Sequence, residues 1–288
     1  MRLAAIVAVL ALTAAACNNS DGAQRAVVAD PDAVNSTTTQ AASAVETSVP
    51  AAQAALIDIS DGIQDETRPD VVWYTATIDG IEVEYAVGQQ ADIAASDEER
   101  PVLLAFPAGP QTRAIAESLL DNYWIPAAVD KGWTVITPVA PGGRLFFQGS
   151  EELIPPLLDA VLADAPPEGG RVHVAGVSNG GISSFRALAL YPERIASVLV
   201  LPGFARSEFD LLALDTVGAD DFGVPVTLWV GANDGQGWID GANSTADRLA
   251  ASGAIVSVNV VPDEGHIIAG LTGGVEISEV LEAARQTS

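Results

Sequence analysis

From residue 71 onward the apolar residues fall into short runs separated by polar or glycine-rich breaks. The first two, VVWYTATI at 71–78 and IEVEYAV at 81–87, mix apolar and polar positions and flank the dipeptide Asp79-Gly80. That is the pattern of an antiparallel hairpin on a two-residue turn. Beyond Pro101 the pattern changes. Almost wholly apolar runs at 102–106, 133–139, 172–177, 196–201, 226–230 and 256–261 are interspersed with segments of helical period at 111–130, 151–163, 182–190, 243–252 and 275–285. A strand that is apolar throughout is one buried on both faces, as in a parallel sheet covered by helices. The order therefore predicts an α/β domain: a mostly parallel central sheet, an antiparallel hairpin at its start, and helices on both faces. An insertion at 208–222 is too short for a large lid, so little or no cap and an open cleft are expected.

The first 55 residues follow a different pattern. MRLAAIVAVLALTAAAC at 1–17 has one early Arg, an apolar stretch and small residues ending at Cys17, the only cysteine. This is the layout of an export signal. A lone cysteine makes no internal disulfide, and the segment 12–17 resembles a bacterial lipobox, which implies lipid attachment to Cys17. Ala14 stands where a lipobox usually has Leu. Residues 18–55, rich in Ala, Ser, Thr and Val without apolar period, read as a disordered tether, which leaves 56–288 as the folded domain. An exported protein follows, either a cell-surface lipoprotein or a secreted one.

Charge narrows the partners. Thirty-eight acidic residues against thirteen Lys and Arg give a formal net charge of −25. That argues against nucleic acid and against docking on anionic lipid through a basic patch, so membrane contact is expected only through a lipid at Cys17.

Candidate chemistry centres on RVHVAGVSNGGISS at 171–184. An apolar run enters Gly176-Val177-Ser178-Asn179-Gly180 and passes into a helical segment, the context in which G-x-S-x-G presents a nucleophilic serine on a sharp turn. A serine hydroxyl needs a base, and the base an orienting acid. Of the two histidines, His173 lies inside the strand entering the turn and is expected to be a satisfied core residue. His266 follows the last strand, at the end of the sheet where sites lie. Asp234 follows the strand at 226–230, with Asp240 in the same loop as the competing acid. The chain order Ser178, Asp234, His266 matches that of α/β-hydrolases. Backbone donors for an oxyanion are expected at Asn179 and in the loop 106–111, where Pro107 and Pro110 have no N–H, leaving Gly109 first and Ala108 second. Phe146, Phe147, Phe204 and Trp238 are candidate pocket walls. With one Cys and two His a zinc cluster is implausible, and no metal or organic cofactor is expected.

Together GVSNGG, LYPERI, VGAND and EGH resemble the α/β-hydrolase superfamily, in particular its small carboxylesterase, dienelactone hydrolase and polyester-depolymerase-like esterases. The resemblance runs over 102–285 and departs at Pro107-Ala108, where those groups often carry His-Gly. It implies an α/β-hydrolase fold and a serine esterase acting on a small-molecule or polymeric ester through Ser178, His266 and Asp234. A peptidase or amidase of the prolyl-oligopeptidase type, an acyltransferase, and an inactive binding module on the same scaffold remain alternatives.

Overall fold

A computed structural model describes residues 55–94, 98–217 and 223–287. The leader at 1–17, Cys17 and the tether as far as residue 54 lie outside the described residues. Two short strands, β1 (Ile57–Ile59) and β2 (Ile63–Gln64), pair antiparallel with β3 (Val71–Ile78) and carry too few residues to leave a sequence pattern. β3 turns at Asp79-Gly80 into β4 (Ile81–Gly88), with which it pairs along its whole length.

After the short helix α1 (Ala91–Ala94) come β5 (Val102–Phe106), α2 (Arg113–Leu119), α3 (Ile125–Ala127), β6 (Thr134–Pro138), α4 (Ile154–Val161) and β7 (Val172–Gly176). α5 (Asn179–Leu190), β8 (Ile195–Val200), α6 (Glu208–Val217), β9 (Val226–Gly231), α7 (Gln236–Ala251), β10 (Val256–Val261) and α8 (Val275–Arg285) follow. Among the described residues the strands form one sheet of order β1-β3-β4-β6-β5-β7-β8-β9-β10, with β2 on β3. Every pairing from β6 through β10 is parallel.

Strand side chains alternate between faces, and the alternation sorts the apolar residues into two cores. Val102, Leu104 and Phe106 of β5 pack on one side with Leu157 and Leu158 of α4 and Phe185 and Leu188 of α5. Leu103 and Ala105 pack on the other with Leu119, Trp124 and, from α8, Ile277 and Leu281. This two-sided burial is why the parallel strands read as continuous apolar runs.

Two helices depart from their sequence patterns. The period at 111–130 becomes α2, a π-helical turn (Leu120–Trp124) and α3. Pro126 has no N–H for the carbonyl four residues back. That carbonyl, Asn122 O, instead accepts the Gly273 N–H at 2.9 Å, from the turn leading into α8. α7 begins at Gln236 rather than 243, so Trp238 and Asp240 lie on a helix and not in a loop. Gly237 and Gly241 weaken the helical pattern there. At 241 a side chain would displace the Phe204 ring, because a Cβ would stand 2.7 Å from it.

Candidate active site

β5 is flanked by β6 on one side and β7 on the other, so successive connections leave it in opposite directions. Such a reversal opens a crevice beyond the carboxyl ends of the two strands. Ser178 stands there, two residues past β7 and immediately before α5. Its backbone has φ 57° and ψ −116°, a conformation that costs a non-glycine residue about 1–3 kcal/mol and persists only where its surroundings enforce it. Here the Ser178 N–H donates to Pro202 O at 2.9 Å, and the Gly180 N–H donates to Val177 O at 2.8 Å. A Cβ on Gly180 would stand 2.1 Å from Phe106 O. The first turn of α5 therefore rides directly on the end of β5, which glycine alone permits.

The loops after β9 and β10 meet Ser178 from the side. His266 Nε2 is 2.8 Å from Ser178 Oγ, and His266 Nδ1 is 2.9 and 3.1 Å from the two carboxylate oxygens of Asp234. With Nδ1–H donating to Asp234, Nε2 is left as the acceptor for the serine hydroxyl. The Asp234 side chain is only 3% exposed whereas that of His266 is 35% exposed, so the acid is shielded from water and the imidazole is reachable. Asp234 Oδ1 also accepts the Gly235 N–H at 2.6 Å. Asp240 bonds Gln236 Nε2 at 2.8 Å, one turn along α7, and the carboxylate joined to His266 is that of Asp234.

Glu264 fixes the histidine loop. Its carboxylate accepts the Ala269 and Gly270 N–H groups at 3.0 and 2.8 Å, and its carbonyl accepts the Asn233 N–H at 2.8 Å. One residue thereby ties the loop of His266 to that of Asp234. The Trp238 ring lies 4.5 Å from the His266 ring, and Phe204 meets Trp238 edge-on at 5.1 Å. Both aromatics are half-buried, and they form a wall on the histidine side.

The loop after β5 reaches the same place. Asn179 is the first residue of α5, whose leading N–H groups have no intrahelical acceptor, and the helix dipole adds positive potential there. Its side chain does more than the sequence suggested: Asn179 Nδ2 donates to Gly109 O at 2.9 Å, joining the two expected sources of oxyanion donors.

No protein-family model matches the sequence, and no curated protein does. Solved structures do resemble it. One is a thermostable esterase, with TM-score 0.54 and 14% identity over 82% of this chain; the chain spans 63% of that esterase's length. Another is an S-formylglutathione hydrolase from Agrobacterium tumefaciens, with TM-score 0.53 and 13% identity over 82% of this chain and 96% of the other. A third is a cold-adapted esterase from an Arctic intertidal metagenomic library, with TM-score 0.51 and 14% identity over 78% and 97%. The chain has the α/β-hydrolase fold.

Within this fold one of the four expected pocket residues, Phe146, needs correction. Phe146 is fully buried and packs on Phe106 at 5.3 Å in the core beneath α4 and α5. Phe147 is buried as well, with the Arg206 guanidinium 5.6 Å above its ring. An aromatic pair inside a loop shows no period from which burial could be read, and here packing took the Phe146 ring into the core. His173 is 4% exposed, bonded through Nδ1 to Ser197 Oγ at 2.7 Å, and lies in the sheet. Glu264 and Gln111 have side chains that brace the loops around Ser178, a role with no signal in the sequence.

Proposed function

We propose that the protein is a serine hydrolase that cleaves carboxylic esters through an acyl-enzyme. The observation that carries this reading is the unbroken hydrogen-bonded line from Ser178 Oγ through the His266 ring to Asp234. In the first half-reaction Ser178 Oγ attacks the ester carbonyl while His266 Nε2 takes its proton, and the imidazolium then protonates the leaving alcohol. Asp234 holds the ring in the productive tautomer and stabilises its positive charge. The Asn179 and Gly109 N–H groups receive the developing oxyanion. Water, activated by the same histidine, releases the acid. The Trp238 and Phe204 wall receives the apolar part of the ester.

The full-length protein should hydrolyse p-nitrophenyl butyrate, and Ser178→Ala should abolish the activity. An inert wild type, or a variant as active as the wild type, would refute the reading. Turnover of a p-nitroanilide at a rate equal to that of the ester would shift the assignment to an amidase.

We further propose that the enzyme works outside the cytoplasm, held by a lipid on Cys17 through the segment 18–55. Labelled palmitate should enter the wild type and not Cys17→Ala. Label retained by that variant would remove the anchor from the proposal.

A further inference from the structure

Gln111 takes no part in the acyl-transfer steps, yet it is among the most constrained residues near them. It is fully buried and has a left-handed backbone, φ 52°, disfavoured for a residue with a Cβ. Four hydrogen bonds converge on it. Its N–H donates to Ala108 O at 2.9 Å and its carbonyl accepts the Ala140 N–H at 2.9 Å. Its Oε1 accepts the Phe146 N–H at 3.1 Å, and its Nε2 donates to Ser183 Oγ at 2.8 Å. Ser183, one turn into α5, passes the connection on by donating to Asn179 O at 3.1 Å. Asn179 Nδ2 returns it to Gly109 O. The loop 108–111 and the first turn of α5 are thus joined in a closed ring of hydrogen bonds.

The ring fixes a direction. Within a trans peptide unit the C=O and N–H point opposite ways. The Gln111 N–H holds Ala108 O, and so it sets the direction of the Gly109 N–H in the same peptide unit. Asn179 holds the next carbonyl, Gly109 O. The peptide that carries the Gly109 N–H, the first of the loop's two candidate donors, is consequently held by two bonds, one from Gln111 and one from the residue that supplies the other donor.

We propose that Gln111 is a positioning residue of the oxyanion hole, holding the Gly109 N–H in register with the Asn179 N–H. The inference rests on the serine-hydrolase reading. Gln111→Met keeps the side-chain length and removes both side-chain hydrogen bonds. Ser183→Ala leaves Gln111 in place and removes the acceptor of its Nε2 together with the hydroxyl's own bond to Asn179 O. With p-nitrophenyl butyrate, Gln111→Met should lower kcat by about 10- to 100-fold with KM changed less than about threefold, as loss of transition-state stabilisation requires. Ser183→Ala should act in the same direction by about three- to tenfold. Affinity for a trifluoromethyl ketone, whose adduct carries an oxyanion, should fall in parallel with kcat/KM. The shape of the pH–rate profile should stay that of the wild type, because Ser178, His266 and Asp234 are untouched.

A folded Gln111→Met with kcat within about twofold of wild type, or with lowered kcat and unchanged ketone affinity, would overturn the proposal. If that variant does not fold, Ser183→Ala decides: wild-type kcat and ketone affinity would overturn it, and a parallel fall in both would support it. A wild type that neither turns over the ester nor binds the ketone would remove the hydrolase reading and this inference with it. An active wild type with unaffected variants would remove the inference alone.

Discussion

The two histidines of the chain meet almost the same partners in different settings. His173 lies 2.7 Å from Ser197 Oγ, with the Trp133 ring 4.8 Å away. His266 lies 2.8 Å from Ser178 Oγ, with the Trp238 ring 4.5 Å away. Contact with a serine and an aromatic ring therefore does not distinguish them. Three things separate the pairs. His266 has a carboxylate on its far nitrogen, and a third of its side chain is open to solvent, whereas His173 is sealed in the sheet. Ser178 sits on a strained turn at a helix start, whereas Ser197 lies inside β8. Burial also pushes the His173 pKa down to about 4, against a smaller opposing pull from Glu168, so that ring is a neutral structural group.

The contrast can be broken first at the serines. Ser178→Ala should lower ester turnover by a factor on the order of 10⁴ to 10⁶, and Ser197→Ala should leave kcat/KM within about twofold. Comparable losses in both would erase the distinction. Next come the acids. Asp234→Asn should lower kcat by about 10⁴, because the amide favours the wrong imidazole tautomer. Asp240→Asn should stay within about twofold in the same assay.

The smallest effect is on stability. The unfolded chain takes up a proton on His173 near the ordinary pKa of 6.5, which the folded chain refuses until about pH 4. Unfolding is therefore increasingly favoured as pH falls through that interval, and the contribution is fully present above it, amounting to a few kcal/mol. His173→Gln should flatten the rise in denaturant midpoint between about pH 5 and 6.5, the part of the interval least overlapped by carboxylate titration. An unchanged slope would mean that another group carries it.

Much of this site was legible in the sequence because its residues sit at strand ends. Ser178 was marked by an apolar run breaking into glycines and then a helix, and Asp234 and His266 by their places just past two later runs. What failed to show depends on long-range packing. Gln111 acts through Phe146 and Ser183, and Glu264 through main-chain N–H groups, so neither leaves a periodic trace. The first turns of α7 were not legible because Gly237 and Gly241 hide a helix that passes close to Phe204. The parallel strands were readable from their apolarity, but the reversal that centres β5 between β6 and β7 was not, since apolar runs carry no record of which neighbour they pair with.

The proposed mechanism requires Ser178 to be an activated nucleophile. Labelling the full-length protein with a fluorophosphonate and mapping the adduct by peptide mass spectrometry tests it most directly. One phosphonyl group on the peptide containing Ser178, lost in His266→Ala, is the expected result. No adduct at neutral pH, or an adduct on a different serine, would contradict it.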